Sequence, residues 1–187
     1  MGALIGITGY AGSGKDTIGD WFVSRRHAHQ YSFALPIKVG ICAAFSLPFD
    51  VFVDRRLKEM PIEGIGKSPR ELAQTLGTEW GRTHVGNDIW VIAAERKLKQ
   101  LGHWGDGLTV ITDVRFENEA AWIRKHGSLI HVTRPGANGS VGVHNHASEA
   151  GILPVAGDIA LLNGGSIQDL YLKLEQAFPF AMEQAVN

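Results

Sequence analysis

The stretch Gly9-Tyr10-Ala11-Gly12-Ser13-Gly14-Lys15-Asp16-Thr17 decides the fold of this chain. It follows the apolar run 3–8, which predicts a buried strand, and it precedes residues 18–23, which predict the first turns of a helix. Glycines lack a Cβ and allow successive backbone N–H groups to turn inward around an anion. The N-terminus of the following helix directs further N–H groups, and the positive end of its dipole, to the same place.

The order strand, glycine-rich loop, lysine, helix is typical of a P-loop, in which the lysine contacts the outer phosphates of a nucleotide. The alternative is a chance glycine-rich turn, and the flanking strand and helix argue against it. One position departs from the motif. Asp16 stands where a Ser or Thr hydroxyl usually holds Mg²⁺.

Length, charge and cysteine content indicate an ordinary globular protein rather than a nucleic-acid-binding or disulfide-rich one. The chain has 187 residues, enough for one domain or for one domain with an inserted lobe. A formal net charge of -1 gives no globally basic surface for nucleic acid. The single cysteine, Cys42, lies in an apolar stretch and is expected to be a core residue. Neither a membrane-spanning run nor a signal peptide is evident, so we expect a cytoplasmic protein.

Apolar runs alternate with helical patterns along the rest of the chain. Strands are predicted at about 3–8, 30–34, 108–112, 128–133 and 158–162. Each connection is long enough for a helical crossover, which indicates an α/β fold with a parallel sheet covered on both faces. The long helical stretch 35–101 falls between the second and third strands. Within it we predict a helix over 48–60 and another that begins with a capping box at Ser68.

Several polar residues in this pattern are candidates for binding a substrate. Lys38 follows the second strand, and ligands of open parallel sheets bind outside the carboxyl ends of the strands. Arg70, Gln74 and Thr78 recur every four residues on one face of a helix. Such a row is usually a solvated face, but it also suits a pocket that grips a phosphate with a guanidinium and reads a base edge with an amide.

The strand 108–112 ends in Asp113, at the position where P-loop enzymes hold Mg²⁺ directly or through water. Arg115 follows, and its alternative role is an ion pair with Glu117 or Glu119. His131 within an apolar strand favours a structural role. Residues 134–151 are rich in small and turn-forming residues and predict a mobile active-site loop. It contains His144 and His146, for which no further ligands complete a zinc site.

Several segments together resemble the deoxynucleoside monophosphate kinases of tailed phages, over nearly the whole chain. These are the P-loop, Leu-Pro-Ile-Lys at 35–38, Ser-Pro-Arg-Glu-Leu-Ala-Gln-Thr-Leu-Gly-Thr-Glu-Trp-Gly-Arg at 68–82, Asp-Val-Arg-Phe-Glu-Asn-Glu-Ala at 113–120 and His-Ala-Ser-Glu at 146–149. Asp16, unusual among P-loops, is usual in this family. The resemblance implies a three-layer P-loop NTPase sandwich with sheet order 2-3-1-4-5, in a single domain. It also implies a helical substrate-binding region at 35–101, a lid-like loop at 134–151, use of ATP and Mg²⁺, and a homodimer.

The resemblance assigns roles residue by residue. The ATP site comprises Gly9, Ala11, Gly12, Ser13, Gly14, Lys15, Asp16 and Thr17, with Asn163 and Gly164 at the adenine. The metal side comprises Asp113 and Asp16, with Mg²⁺ held directly or through water. The residues that neutralise the transferred group are Lys15, Arg115 and Arg134. Lys38, Arg70, Gln74 and Arg82 are assigned to the monophosphate substrate, and Glu149 is assigned either to the substrate or to positioning an arginine. Apart from the resemblance, Trp90 is a candidate for lining the base pocket, although a tryptophan on a helix is more often a core residue.

The implied reaction moves the γ-phosphoryl group of ATP to a deoxynucleoside monophosphate. Two alternatives stay open at this stage. One is another small-molecule P-loop kinase, acting on a cofactor precursor or on phosphomevalonate. The other is a nucleotide-binding protein without catalytic activity. The sequence does not indicate the preferred base or the sugar.

Overall fold

The strands of the computed structural model form one parallel sheet, and the structure describes residues 3–105, 107–137 and 151–179. Over these residues the sheet has the order β2-β3-β1-β4-β5. The strands in chain order are β1 (Ala3–Thr8), β2 (His29–Tyr31), β3 (Leu108–Ile111), β4 (Gly127–Thr133) and β5 (Ile159–Leu162). This arrangement confirms the α/β class and the strand order that the resemblance implies.

Helices connect the strands and cover both faces of the sheet. They are α1 (Lys15–Arg26), α2 (Leu35–Phe45), α3 (Pro69–Gln74), α4 (Ile89–Gln100), α5 (Glu117–His126) and α6 (Ile167–Ala177). None of the helices that the structure describes combines the length and the apolarity needed to cross a membrane.

β1 lies at the centre of the sheet, between β3 and β4. Ile5 and Ile7 pack into an apolar cluster with side chains of α1 and α6, and Leu4 packs into a second cluster with side chains of α2, α4 and α5. Burial on both faces is what makes a central parallel strand almost continuously apolar. Gly6 is required by close packing, because a Cβ there would lie 2.7 Å from the Cγ2 atom of Ile123 in α5.

The predicted helix over residues 48–60 is wrong. The structure has two short 3₁₀ turns there instead, Phe49–Phe52 and Leu57–Glu59. The carboxylate of Asp54 accepts hydrogen bonds from the backbone N–H groups of Arg56 at 2.7 Å and Leu57 at 3.1 Å. Such local bonds from an aspartate compete with the helical hydrogen bonds and end the helix.

The predicted capping box at the start of α3 is confirmed. The Ser68 hydroxyl accepts from the N–H of Glu71, whose carboxylate accepts from the N–H of Ser68 at 2.8 Å. The chain then continues as a wider π-helix over Thr75–Val85. The indole of Trp90 donates to the Gly77 carbonyl at 2.7 Å, and a Cβ on Gly81 would lie 2.6 Å from the same ring. The ring of Trp90 thus packs closely against this π-helix at two of its glycines.

The buried carboxylate of Asp158 forms a hydrogen-bond network that fixes the segment leading into β5. Asp158 accepts from Arg124 Nε at 3.0 Å and Nη2 at 2.9 Å, and its Oδ2 atom lies 2.8 Å from Nε2 of His131. The N–H of Val155 also donates to it. The hydrogen bond from Arg124 holds the pKa of Asp158 well below its usual range, against the effect of burial. This confirms a structural role for His131, as predicted.

Replacing Asp158 tests this network. We expect Asp158→Asn to lower the free energy of unfolding by about 2 kcal/mol at pH 7, because hydrogen bonds to a charged partner are lost. The pKa of Asp158 is lower in the folded protein than in the unfolded chain. The carboxylate therefore makes its full contribution to the free energy of unfolding above the ordinary aspartate pKa of about 4, and this contribution is lost as the pH falls below that value. The difference between wild type and variant in urea unfolding should therefore shrink toward pH 3. The exposed control Asp20→Asn should show no difference at pH 7, and an equal effect of both variants would contradict the network.

Candidate active site

Three glycines shape the loop between β1 and α1. Gly9, Gly12 and Gly14 have φ angles of 150°, 76° and 103°, in the region that favours glycine. A Cβ on Gly9 would lie 2.4 Å from the carbonyl oxygen of Val132 in β4, so the loop packs closely against the sheet. Gly14 is the N-cap of α1 and places no side chain over the first N–H groups of that helix. These N–H groups are therefore available to an anion.

The lysine of the loop folds back over it. Lys15 Nζ donates to the carbonyl oxygens of Gly9 at 2.6 Å and Tyr10 at 2.8 Å. Burial, followed by the positive charge of Arg115, lowers the pKa of Lys15, whereas the charges of Asp16 and Asp113 raise it. Lys15 thus has Arg115 and both candidate metal-side carboxylates as electrostatic neighbours. The structure brings these predicted site residues together at the carboxyl edge of the sheet.

Asn163, predicted to contact adenine, instead braces the P-loop. Its side-chain Nδ2 donates to the carbonyl oxygen of Ser13 at 2.9 Å, and its backbone N–H donates to Thr133 at 2.8 Å. The amide also fills the space beside Gly14, where a Cβ would lie 2.5 Å from Nδ2. Because the side chain is buried and its amide is directed at the loop, it is not free to read a base. Gly164 is exposed, and its adenine role stays a prediction.

Both oxygens of Asp113 hold the turn between β2 and α2. Oδ2 accepts from the Ser32 hydroxyl at 2.7 Å and the Ala34 N–H at 3.0 Å, and Oδ1 accepts from the Phe33 N–H at 2.9 Å. The carboxylate therefore fixes the segment that leads to Lys38. Little of its hydrogen-bonding capacity is left, since each carboxylate oxygen offers two lone pairs.

Three basic side chains interact electrostatically with Lys58, and together with it they form a group that we call the cation cluster. It comprises Lys38, Lys58, Arg70 and Arg115. Burial, followed by the charges of Arg70, Lys38 and Arg115, lowers the pKa of Lys58, and the charge of Glu59 opposes this shift. Arg70 Nε forms an ion pair with Glu59 Oε1 at 2.7 Å. Grouped cations of this kind are suited to binding a phosphate dianion.

Lys58 was missed by sequence reasoning because it falls within the helix predicted over 48–60, for which no site role was assigned. The half-buried lysine instead lies in the second 3₁₀ turn, next to the Glu59 carboxylate that pairs with Arg70. The available signal was Asp54 inside the segment, because a short carboxylate side chain can accept from the backbone N–H groups that follow it and so compete with a regular helix.

The remaining predicted residues are less constrained. Gln74 is half-buried at the end of α3, one turn beyond Arg70, and Arg134 is exposed directly after β4. Both keep their roles as predictions. Glu149, His144 and His146, with most of the predicted lid-like loop, lie outside the described residues.

Arg82 and Trp90 are placed differently from the prediction that they bind substrate. The Arg82 side chain is 7% exposed and forms an ion pair with Glu119. Trp90 is buried in the apolar core, where its indole donates to the Gly77 carbonyl. Because both polar groups already have partners inside the protein, neither side chain is directed at a ligand.

Comparison with known proteins identifies the family. The family model described as deoxynucleotide monophosphate kinase matches residues 66–174. The chain belongs to this family. A protein of Acanthamoeba polyphaga mimivirus that carries the family's name is 30% identical over 183 residues, which cover 91% of this chain and 93% of the relative. The deoxynucleoside-5'-monophosphate kinase of Escherichia phage T5 is 28% identical, with 81% and 86% covered.

A solved structure supports the fold alone. The structure of TT1252 from Thermus thermophilus aligns with a TM-score of 0.55 at 19% identity, covering 94% of this chain and 96% of that one. The deoxynucleotide monophosphate kinase family therefore supplies the reaction class, and the contacts above supply the residues of this particular chain.

Asn163→Ala tests the brace of the P-loop in this kinase. The change leaves the Ser13 carbonyl without its buried partner, which we expect to raise the KM for the phosphoryl donor about tenfold. The KM for the acceptor should change less than about twofold, because the cation cluster is untouched. Steady-state kinetics with each substrate varied in turn measure both, and the exposed Gln168→Ala in α6 is the control. An unchanged donor KM would contradict the brace.

Proposed function

We propose that this protein transfers the γ-phosphoryl group of ATP to a deoxynucleoside monophosphate. The observation that carries the proposal is that the charge of Arg115 acts on lysines of both the P-loop and the cation cluster. Its charge lowers the pKa of Lys15 in the P-loop and that of Lys58 in the cation cluster, in both cases after the effect of burial. One exposed arginine thus interacts electrostatically with both lysines, which supports a donor half at the P-loop and an acceptor half at the cation cluster.

In the donor half, the backbone N–H groups of residues 9–15 surround the ATP phosphates. Lys15 leaves the carbonyl oxygens of Gly9 and Tyr10 to contact the outer phosphates as a point charge. Asn163 keeps the loop in the shape that this requires.

The oxygen-bearing side chains of Asp113, Asp16 and Thr17 suit a Mg²⁺ ion that is held largely through water. Asp113 already accepts three hydrogen bonds from Ser32, Phe33 and Ala34, which leaves it few lone pairs for direct coordination. Asp16 is exposed at the start of α1, and Thr17 beside it is half-buried and offers a hydroxyl. Mg²⁺ keeps several waters in such sites and neutralises charge on the phosphates.

In the acceptor half, Lys38, Lys58 and Arg70 bind the monophosphate. The Glu59 carboxylate now paired with Arg70 occupies the guanidinium that the phosphate would take. Gln74, one turn along α3, lies where an amide could read the edge of a base.

The chemistry needs alignment and positive charge rather than a covalent nucleophile. An oxygen of the acceptor phosphate forms a bond to the γ-phosphorus while the bond from that phosphorus to the β–γ bridging oxygen breaks, and ADP leaves. Lys15 and Arg115 neutralise the charge on the group in transit, with Arg134 as a further candidate from the loop after β4. The homodimer implied by the resemblance stays a prediction.

An acceptor screen tests the activity. Purified protein is incubated with ATP, Mg²⁺ and each common deoxynucleoside and ribonucleoside monophosphate, and the diphosphate products are separated by chromatography. We expect diphosphate from at least one deoxynucleoside monophosphate. Lys15→Ala should lower kcat about a thousandfold through loss of transition-state charge stabilisation, with the fold retained by circular dichroism. The exposed control Lys125→Ala should keep wild-type kcat. Absence of diphosphate from every acceptor would overturn the proposal.

Lys58→Ala tests the acceptor half separately. We expect the acceptor KM to rise about tenfold and the ATP KM to change less than about twofold, because the lost charge contacts only the acceptor phosphate. Lys67→Ala, a nearby exposed lysine paired with Glu71, is the matched control and should leave both constants unchanged. Glu59→Gln should have the opposite effect and lower the acceptor KM, since it frees Arg70. Equal changes in both KM values would remove Lys58 from the acceptor site.

A further inference from the structure

A buried carboxylate lies behind the turn that carries Arg115. Glu119 is 2% exposed. Its Oε2 atom accepts from the backbone N–H of Arg115 at 2.7 Å and from that of Phe116 at 3.1 Å. These two bonds fix the path of the backbone at the point where the Arg115 side chain leaves it. Arg115 itself is exposed, and its charge acts on Lys15 of the P-loop.

Arg82 holds this carboxylate from the other side. One guanidinium nitrogen, Nη2, pairs with Oε1 of Glu119. The other, Nη1, donates to the Asn87 carbonyl at 2.9 Å and to Oδ1 of Asn118 at 3.2 Å. The guanidinium also lies over the ring of Phe116, 3.7 Å from its centroid. Arg82 therefore contacts the turn through both the carboxylate and the aromatic ring.

Asn118 extends the same network to the start of α4. Its Nδ2 atom donates to the Asn87 carbonyl at 2.9 Å and to Oδ1 of Asp88 at 2.9 Å. The π-helix 75–85 that carries Arg82 continues directly from α3, which carries Arg70 and Gln74. The network thus joins the acceptor-side helix to the turn of the catalytic arginine.

The electrostatics show that the carboxylate depends on these partners. Burial, together with the negative charge of Asp113, raises the pKa of Glu119 to about 7, and the N–H of Arg115, the charge of Arg82 and the N–H of Phe116 oppose this shift. A buried ion pair contributes little to stability by comparison with an apolar replacement. The Arg82–Glu119 ion pair instead fixes geometry. Each of the two charged groups has several hydrogen-bond partners, so together they allow only one conformation of the surrounding backbone.

We propose that Glu119, clamped by Arg82, is a positioning residue that orients Arg115 toward the transferred phosphoryl group and ties this orientation to the acceptor helix. The proposal rests on the proposed function. It predicts that Arg82 and Glu119 affect kcat although neither residue contacts a substrate. A small displacement of a charge-stabilising group lowers the rate steeply, whereas ground-state binding through other residues persists.

The test is a double-mutant cycle on kcat with the best acceptor from the screen. Glu119→Gln should lower kcat about 100-fold while changing both KM values less than about threefold. Arg115→Ala should lower kcat at least as much. Glu119→Gln added to Arg115→Ala should lower it no further, because the positioned group is already gone. Arg82→Lys, which keeps the charge, should retain more activity than Arg82→Met.

Two further measurements distinguish the positioning of Arg115 from a general loss of structure. Asn118→Ala removes one outer bond of Arg82, and it should show a smaller kcat loss that also disappears in the Arg115→Ala background. Hydrogen exchange reports the N–H groups of Arg115 and Phe116 without any need for activity, and Glu119→Gln should accelerate it at both. An undiminished loss in the Arg115→Ala background would overturn the positioning role. Inactive wild-type protein in the same assay would count against the proposed function instead.

Discussion

Basic side chains gather at the carboxyl edge of the sheet, and their mutual repulsion is the constraint on which the site depends. After burial, the charges of Arg70, Lys38 and Arg115 lower the pKa of Lys58, and Arg115 does the same to Lys15. Because neighbouring cations repel one another, they stay close only where the fold fixes their positions or a bound anion neutralises their charge. The nearby carboxylates of Asp113 and Glu119 accept mainly from backbone N–H groups, whereas the Glu59 carboxylate pairs with Arg70.

Local signals in the sequence predicted most of the fold. The apolar run before Gly9 and the glycine pattern after it lead to β1, the P-loop and α1, because these features depend on residues adjacent in the chain. The Ser68 capping box formed for the same reason. The helix predicted over 48–60 failed because the side chain of Asp54 bonds the backbone two and three residues ahead, a competition that hydrophobic periodicity does not reveal.

The site was harder to predict because its decisive contacts are distant in sequence. Asn163 and Ser13 are 150 residues apart, and Arg82 and Glu119 are 37 apart. An arginine beside a glycine has the same appearance in sequence whether it binds a phosphate or a buried carboxylate, and the difference lies in the partner that folding brings to it. Lys58 illustrates the converse, because a lysine within the predicted helix becomes a half-buried neighbour of the charges of Arg70, Lys38 and Arg115 once the chain around it forms 3₁₀ turns.

The most direct measurement of a shared transfer site is calorimetric titration with adenosine joined to a deoxynucleoside through five phosphates. One molecule would fill both halves, so we expect one site per chain and an affinity at least about 100-fold above that of ATP. Lys15→Ala and Lys58→Ala should each weaken this binding, whereas only Lys15→Ala should weaken the binding of ATP. An affinity no greater than that of ATP, or one insensitive to Lys58→Ala, would contradict the convergence of donor and acceptor phosphates on one site.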